Sequence, residues 1–130
     1  MNLTLIVLLV LALFMVQLFL QETSRLGFDI RAITGPRDTL PAPSVIAARL
    51  DRAKNNMLEA LPFFLGLSML ALASPSGAAA AANGAAVFLV ARILYVPAYV
   101  SGLPWLRSLI WLGGNAGLLM MAASLFPVSG

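Results

Sequence analysis

The stretch ARLDRAKNNMLEALPFF, residues 48–64, begins as a charged segment and ends as an apolar one. On a helix, positions i, i+4 and i+7 share a face, so Arg52, Asn56 and Glu59 form one polar stripe. At 1.5 Å per residue that stripe is about 10 Å long. It runs straight into Leu61–Ala73, which is apolar apart from Ser68 and is entered through Pro62. A chain that places a cation, an amide and an acid at the mouth of such a run sets polar chemistry where water meets lipid.

The rest of the chain supports a membrane setting. Of 130 residues, 61% are hydrophobic and only 10% charged, far from the balance of a soluble domain. This composition is that of an integral membrane protein. With no cysteine there can be no disulfide, thiolate metal site or cysteine nucleophile, and with no histidine the commonest metal ligand and general base is missing. No metal is expected, and chemistry falls to Arg, Tyr, Ser, Asn, acids or a bound cofactor. The net charge of +3 is small, and most basic residues lie between Arg25 and Lys54. That clustering speaks of topology rather than of a nucleic-acid partner.

A membrane-crossing helix needs about 20 mainly apolar residues. Four stretches meet this: about 3–21, 50–73, 78–100 and 106–126. The fold class is therefore an all-α membrane protein, a four-transmembrane-helix bundle forming one domain over residues 1–130. Between the first two spans, GFDIRAITGPRDTLPAP is rich in Gly and Pro and reads as a loop. The first span is preceded by no Lys or Arg and followed by no small-residue cleavage site, so it is expected to be retained rather than removed as a signal peptide. Arg25, Arg31, Arg37 and Arg49 fall in the first loop, none lies in SPSG between spans two and three, and Arg107 follows span three. The positive-inside rule then places the N-terminus outside and the first and third loops in the cytoplasm. SGAAAAANGAA at the start of span three reads as a close-packing face. Pro62 and Pro97 each remove a helical donor, and kinks are expected at both.

Polar residues of three spans share one depth. Arg92, Tyr95 and Tyr99, spaced i, i+3, i+7, occupy the inner half of span three, level with the Arg52–Asn56–Glu59 stripe. Arg107, Ser108 and Trp111 open span four at that level. Singly, Arg52 and Arg107 read as snorkelling side chains, and Tyr99, Trp105 and Trp111 as an interfacial aromatic belt. Arg92 and Glu59 lie inside spans, where a charge costs at least ~2.5 kcal/mol near the helix centre, so they are expected to face the bundle interior and pair. The simplest pairing is Glu59 with Arg92 or Arg52. It still leaves guanidinium in surplus, because Asp51 and Glu59 are the only acids after Asp38. Surplus guanidinium suits an anionic ligand, since Arg grips carboxylates bidentately.

Arg52, Asn56, Glu59 and Pro62 in RAKNNMLEALPFF, with Arg92, Tyr95 and Tyr99 in ARILYVPAYVSGLPWLRS, resemble the second and third helices of the MAPEG family, the membrane-associated proteins in eicosanoid and glutathione metabolism. The likeness covers essentially the whole chain, including GPRD in the first loop, and is to short bacterial-type members of an inner membrane. It implies a homotrimer that binds glutathione near the cytoplasmic face, in the cleft between subunits. By position, Arg52, Asn56 and Glu59 would hold the tripeptide's charged ends, helped by Arg92, Tyr95 and Tyr99 and by Arg25 past the first span. Arg107 would stand nearest the thiol, with Ser108 beside it. Trp111 departs from members that carry tyrosine there, so thiol activation would fall to Arg107 or Ser108.

Two functions follow from the resemblance. One is a glutathione transferase or peroxidase acting on small lipophilic electrophiles that arrive through membrane lipid. The other is a non-catalytic lipid-binding or scaffolding protein of the same fold. A small four-span multidrug transporter would carry an embedded acid in its first helix, and span one has no charge.

Overall fold

Long apolar runs broken by Gly, Pro and Ser give four helices in the computed structural model, which describes residues 1–25, 35 and 44–126. They are α1 (Leu3–Arg25), α2 (Val45–Leu72), α3 (Gly77–Ser101) and α4 (Pro104–Leu125). Each is long and apolar enough to cross a membrane. The expected first loop, with Arg31 and Arg37, falls mostly outside the described residues, as does the side chain of Arg25 at the end of α1.

Local chemistry fixes the helix ends. Asn2 caps α1 by accepting from the Leu5 N–H at 2.8 Å, and Ser44 caps α2, its Oγ accepting from the Ala47 N–H at 3.1 Å. Both are N-cap geometries that satisfy an otherwise orphaned donor. The Ser44 cap starts α2 at Val45, five residues before the expected start of the span at about 50, so Arg49 stands on a helix rather than in a loop. At 28 residues α2 is about 42 Å long, against about 30 Å of hydrocarbon, so it projects beyond the membrane. Gly102, at φ 78°, ends α3 in the left-handed conformation, and Pro104 opens α4 at a position where no donor is lost. Pro62 and Pro97 both sit within continuous helices. Hydroxyls inside the spans turn back onto their own helices: Ser68 donates to the Phe64 carbonyl at 2.8 Å and Ser124 to that of Met121 at 2.7 Å. In lipid such local bonds replace water.

The core joins Ile6 and Val10 of α1 to Met57 and Phe64 of α2, Phe88 of α3 and Met121 of α4. Phe64 and Phe88 stack at 4.7 Å between ring centroids. The tightest seam is α3 against α4. A Cβ on Gly84 would lie 2.7 Å from the Gly117 carbonyl oxygen, and one on Gly117 would lie 2.7 Å from the Phe88 nitrogen. Backbone meets backbone there, as small residues permit in membranes. Of the expected small-residue face, Ala81, Gly84 and Ala85 are buried while Ala79 and Ala80 face outward. Large apolar side chains such as Phe19, Phe63, Met69, Leu119 and Phe126 are exposed, as a lipid-facing surface requires. Up-and-down connection brings the start of α2, the end of α3 and the start of α4 to one end of the bundle, here called the basic end.

Candidate functional site

The basic end collects side chains from three helices around one ring. Over Tyr99 of α3 lie the Arg52 guanidinium of α2, 5.8 Å from the ring centroid, and the Arg107 guanidinium of α4, 5.0 Å away. Tyr95, one turn up α3, meets Tyr99 edge-on at 5.6 Å. Cation–π attraction accounts for both contacts. Neither Arg52 nor Arg107 makes an ion pair among the described residues, so two positive charges gather at one ring. Ser108 is exposed next to Arg107.

Arg49, which sequence reasoning assigned to the loop, ties this cluster together. Its Nη1 donates to the Val100 carbonyl at 2.8 Å. Its guanidinium also lies against Gly102, where a Cβ would come within 2.8 Å of it. The start of α2 is thereby fastened to the turn that joins α3 to α4.

Deeper in the bundle Arg92 is almost wholly buried, at 2% exposure. Its Nη1 donates to Asn56 Oδ1 at 2.6 Å, and its guanidinium lies 5.1 Å from the Tyr95 centroid and 5.3 Å from that of Phe88. The expected ion pair is therefore absent among the described residues: an amide, not Glu59, partners Arg92. The ion pair that forms nearby is Lys54–Asp51 at 3.0 Å, on the outer surface of α2. Glu59 is exposed on α2 and borders the same cavity as Arg92.

That cavity, of about 160 Å³, lies between α2 and α4 and is lined by Asn56, Glu59, Arg92, Trp111 and Asn115 among others. It shares Phe63, Asn115 and Leu118 with an apolar recess of about 410 Å³, which in turn shares Leu67 and Ala122 with another of about 270 Å³ reaching Phe126. Asn115 was not singled out from the sequence, although Arg107, Trp111 and Asn115 stand at i, i+4, i+8 and so share a face. The structure thus brings Arg52, Tyr95, Tyr99 and Arg107 into one cluster and Asn56, Glu59 and Arg92 around an adjoining cavity.

The model of the MAPEG family matches residues 2–126, essentially the full length. The chain belongs to the MAPEG family. No curated protein and no solved structure gave a match. MAPEG membership and four apolar helices of spanning length make this a multi-pass integral membrane protein. The MAPEG family includes glutathione transferases and peroxidases as well as other members.

Proposed function

We propose that this MAPEG protein binds glutathione at the basic end and uses its thiolate against lipophilic electrophiles dissolved in the bilayer. The observation that carries the reading is the Arg52–Tyr99–Arg107 cluster: two guanidiniums from different helices held at one ring with no ion pair to an acid among the described residues. Glutathione has two carboxylates for such groups and an ammonium for Glu59, which makes no ion pair among the described residues. Arg52, Asn56 and Glu59 grip the tripeptide's ends. Tyr99 and Tyr95 hold the guanidiniums in place, and Arg92 fixes the Asn56 amide. The MAPEG resemblance adds Arg25, at the end of α1, as a further candidate for the tripeptide. In a homotrimer the adjoining subunit closes the cleft and excludes water.

Arg107 is nearest the sulfur. A guanidinium beside a thiol favours the thiolate, the nucleophilic form, and Ser108 supplies a hydroxyl donor to the same atom. In conjugation the sulfur forms a bond to an electrophilic carbon and the leaving group departs with its electron pair, while the thiol proton has already passed to solvent. A non-catalytic lipid-binding member is the second reading, favoured by Trp111, which brings an indole and no hydroxyl to the cavity wall.

The test is a glutathione titration of purified protein at neutral pH, following thiolate absorbance in the near ultraviolet. Saturable binding with a thiolate signal is the expected outcome. Folded protein that gives neither would sink the enzyme reading in favour of the lipid-binding one.

A further inference from the structure

Two kinds of glycine stand in α4. Gly117 is held by packing, since its Cβ would lie 2.7 Å from the Phe88 nitrogen, but Gly113 and Gly114 are not. A Cβ on Gly113 would find nothing nearer than the Ala91 Cβ at 4.0 Å, and one on Gly114 nothing nearer than 3.7 Å, which is ordinary van der Waals contact. Alanine fits both places and makes the better helix, so the pair leaves α4 soft one turn to the basic side of its seam with α3. Hydrogen bonding at that point is built in duplicate. In an α-helix the carbonyl of residue 111 accepts from the N–H of residue 115, across the pair, and here the Asn115 side chain donates Nδ2 to the same Trp111 carbonyl at 2.9 Å. A helix in lipid tolerates a local break where a side chain satisfies the freed backbone group, and Asn115 is that reserve donor.

Space for movement lies on the outer side of α3 and α4. Leu106 and Ile110, which travel with Arg107, border two apolar recesses that meet at Leu94 and Ile110: one of about 430 Å³ reaching Val87, Val90 and Gly113, and one of about 350 Å³ reaching Pro97 and Ser101. The other end of this length of helix is tethered, because Gly102 turns the chain at φ 78° and Arg49 holds that turn through the Val100 carbonyl. A segment fixed at both ends cannot swing outward; it can only turn about the line that joins them. We propose that residues 104–112 form a crank that rolls between Gly102 and the Gly113–Gly114 pair, carrying Arg107 onto and off the Tyr99 ring. The crank is engaged in this structure, with the guanidinium 5.0 Å from the ring centroid. Its roll turns Arg107 and Trp111 away from Tyr99 while Leu106 and Ile110 shift within their recesses. Under the glutathione reading, on which this consequence alone rests, the crank decides whether a cation stands beside the sulfur.

Trp111 rides on the crank and lines the polar cavity, so it reports the roll. In Trp105→Phe protein labelled with fluorotryptophan and held in bilayer nanodiscs without glutathione, fluorine relaxation dispersion should show Trp111 exchanging on the microsecond-to-millisecond scale. Gly113→Ala combined with Gly114→Ala should raise the melting temperature yet abolish that exchange. Val87→Phe, which fills the recess beside Ile110 and touches neither glycine, should abolish it as well. Asn115→Leu, which takes away the reserve donor, should slow it. Gly66→Ala is the control: a Cβ there meets nothing within 4 Å, so α2 gains the same helix stability and the Trp111 exchange should stay as it was. A Trp111 signal without exchange would overturn the proposal. So would exchange that survives the alanine pair, or that Gly66→Ala suppresses equally, because either marks breathing of the whole bundle. No thiol is present in this measurement, so failure of the crank and failure to bind glutathione are read separately.

Discussion

Tyr99 holds together charges that repel each other. Arg52 and Arg107 both lie within 6 Å of its ring centroid, and the ring face offsets part of their mutual repulsion until an anion arrives. Tyr99→Phe keeps the face and is expected to retain glutathione affinity within about twofold, whereas Tyr99→Leu should weaken it roughly tenfold, given ~0.5–2 kcal/mol per cation–π contact. Isothermal titration separates the two. Arg107→Ala should diminish thiolate absorbance more than binding. Buried Arg92 makes a different demand, because its bond to Asn56 is charge-assisted; Asn56→Ala should destabilise the fold by about 2–3 kcal/mol, read as a lower melting temperature. Conversely, the Gln17 carboxamide is buried with neither end hydrogen-bonded among the described residues, so Gln17→Leu should raise that temperature by relieving an unsatisfied amide. The sequence exposed Arg92 as a buried cation but not its partner. Charge alone favours Glu59, and only the relative rotation of α2 and α3 shows that Asn56 reaches the guanidinium first.

Among the helices, the apolar runs were legible because a span in lipid needs no periodic pattern, only length and low charge. The start of α2 was harder to see. Residues 45–49 mix apolar and basic side chains, and it is the Ser44 cap that extends the helix to meet them. Arg49 becomes a structural residue through that extension, fastening α2 to the α3–α4 turn. Arg49→Met should loosen the spacing between Arg52 and Arg107, lowering glutathione affinity several-fold while leaving helix content unchanged by circular dichroism. Gly84→Val or Gly117→Val should instead cost the fold itself at least about 2 kcal/mol, because their Cβ atoms would meet backbone that cannot step aside.

For the whole molecule, assembly and orientation each give a direct test. The MAPEG resemblance implies three copies, and chemical cross-linking in bilayers is expected to stop at a trimer. The absence of cysteine makes orientation simple to measure. A membrane-impermeant thiol reagent added outside cells should label Ser76→Cys, between α2 and α3, and spare Asn55→Cys at the basic end. The Gly84–Gly117 seam also governs how the bundle can move. Two helices joined backbone to backbone behave as the spine of a book, and a spine does not stretch. Any widening that admits a guest between α2 and α4 must swing the cover formed by α1 and α2, and the Arg49 clasp at the basic end makes that swing a pivot, greatest at the far leaflet and smallest beside Arg52.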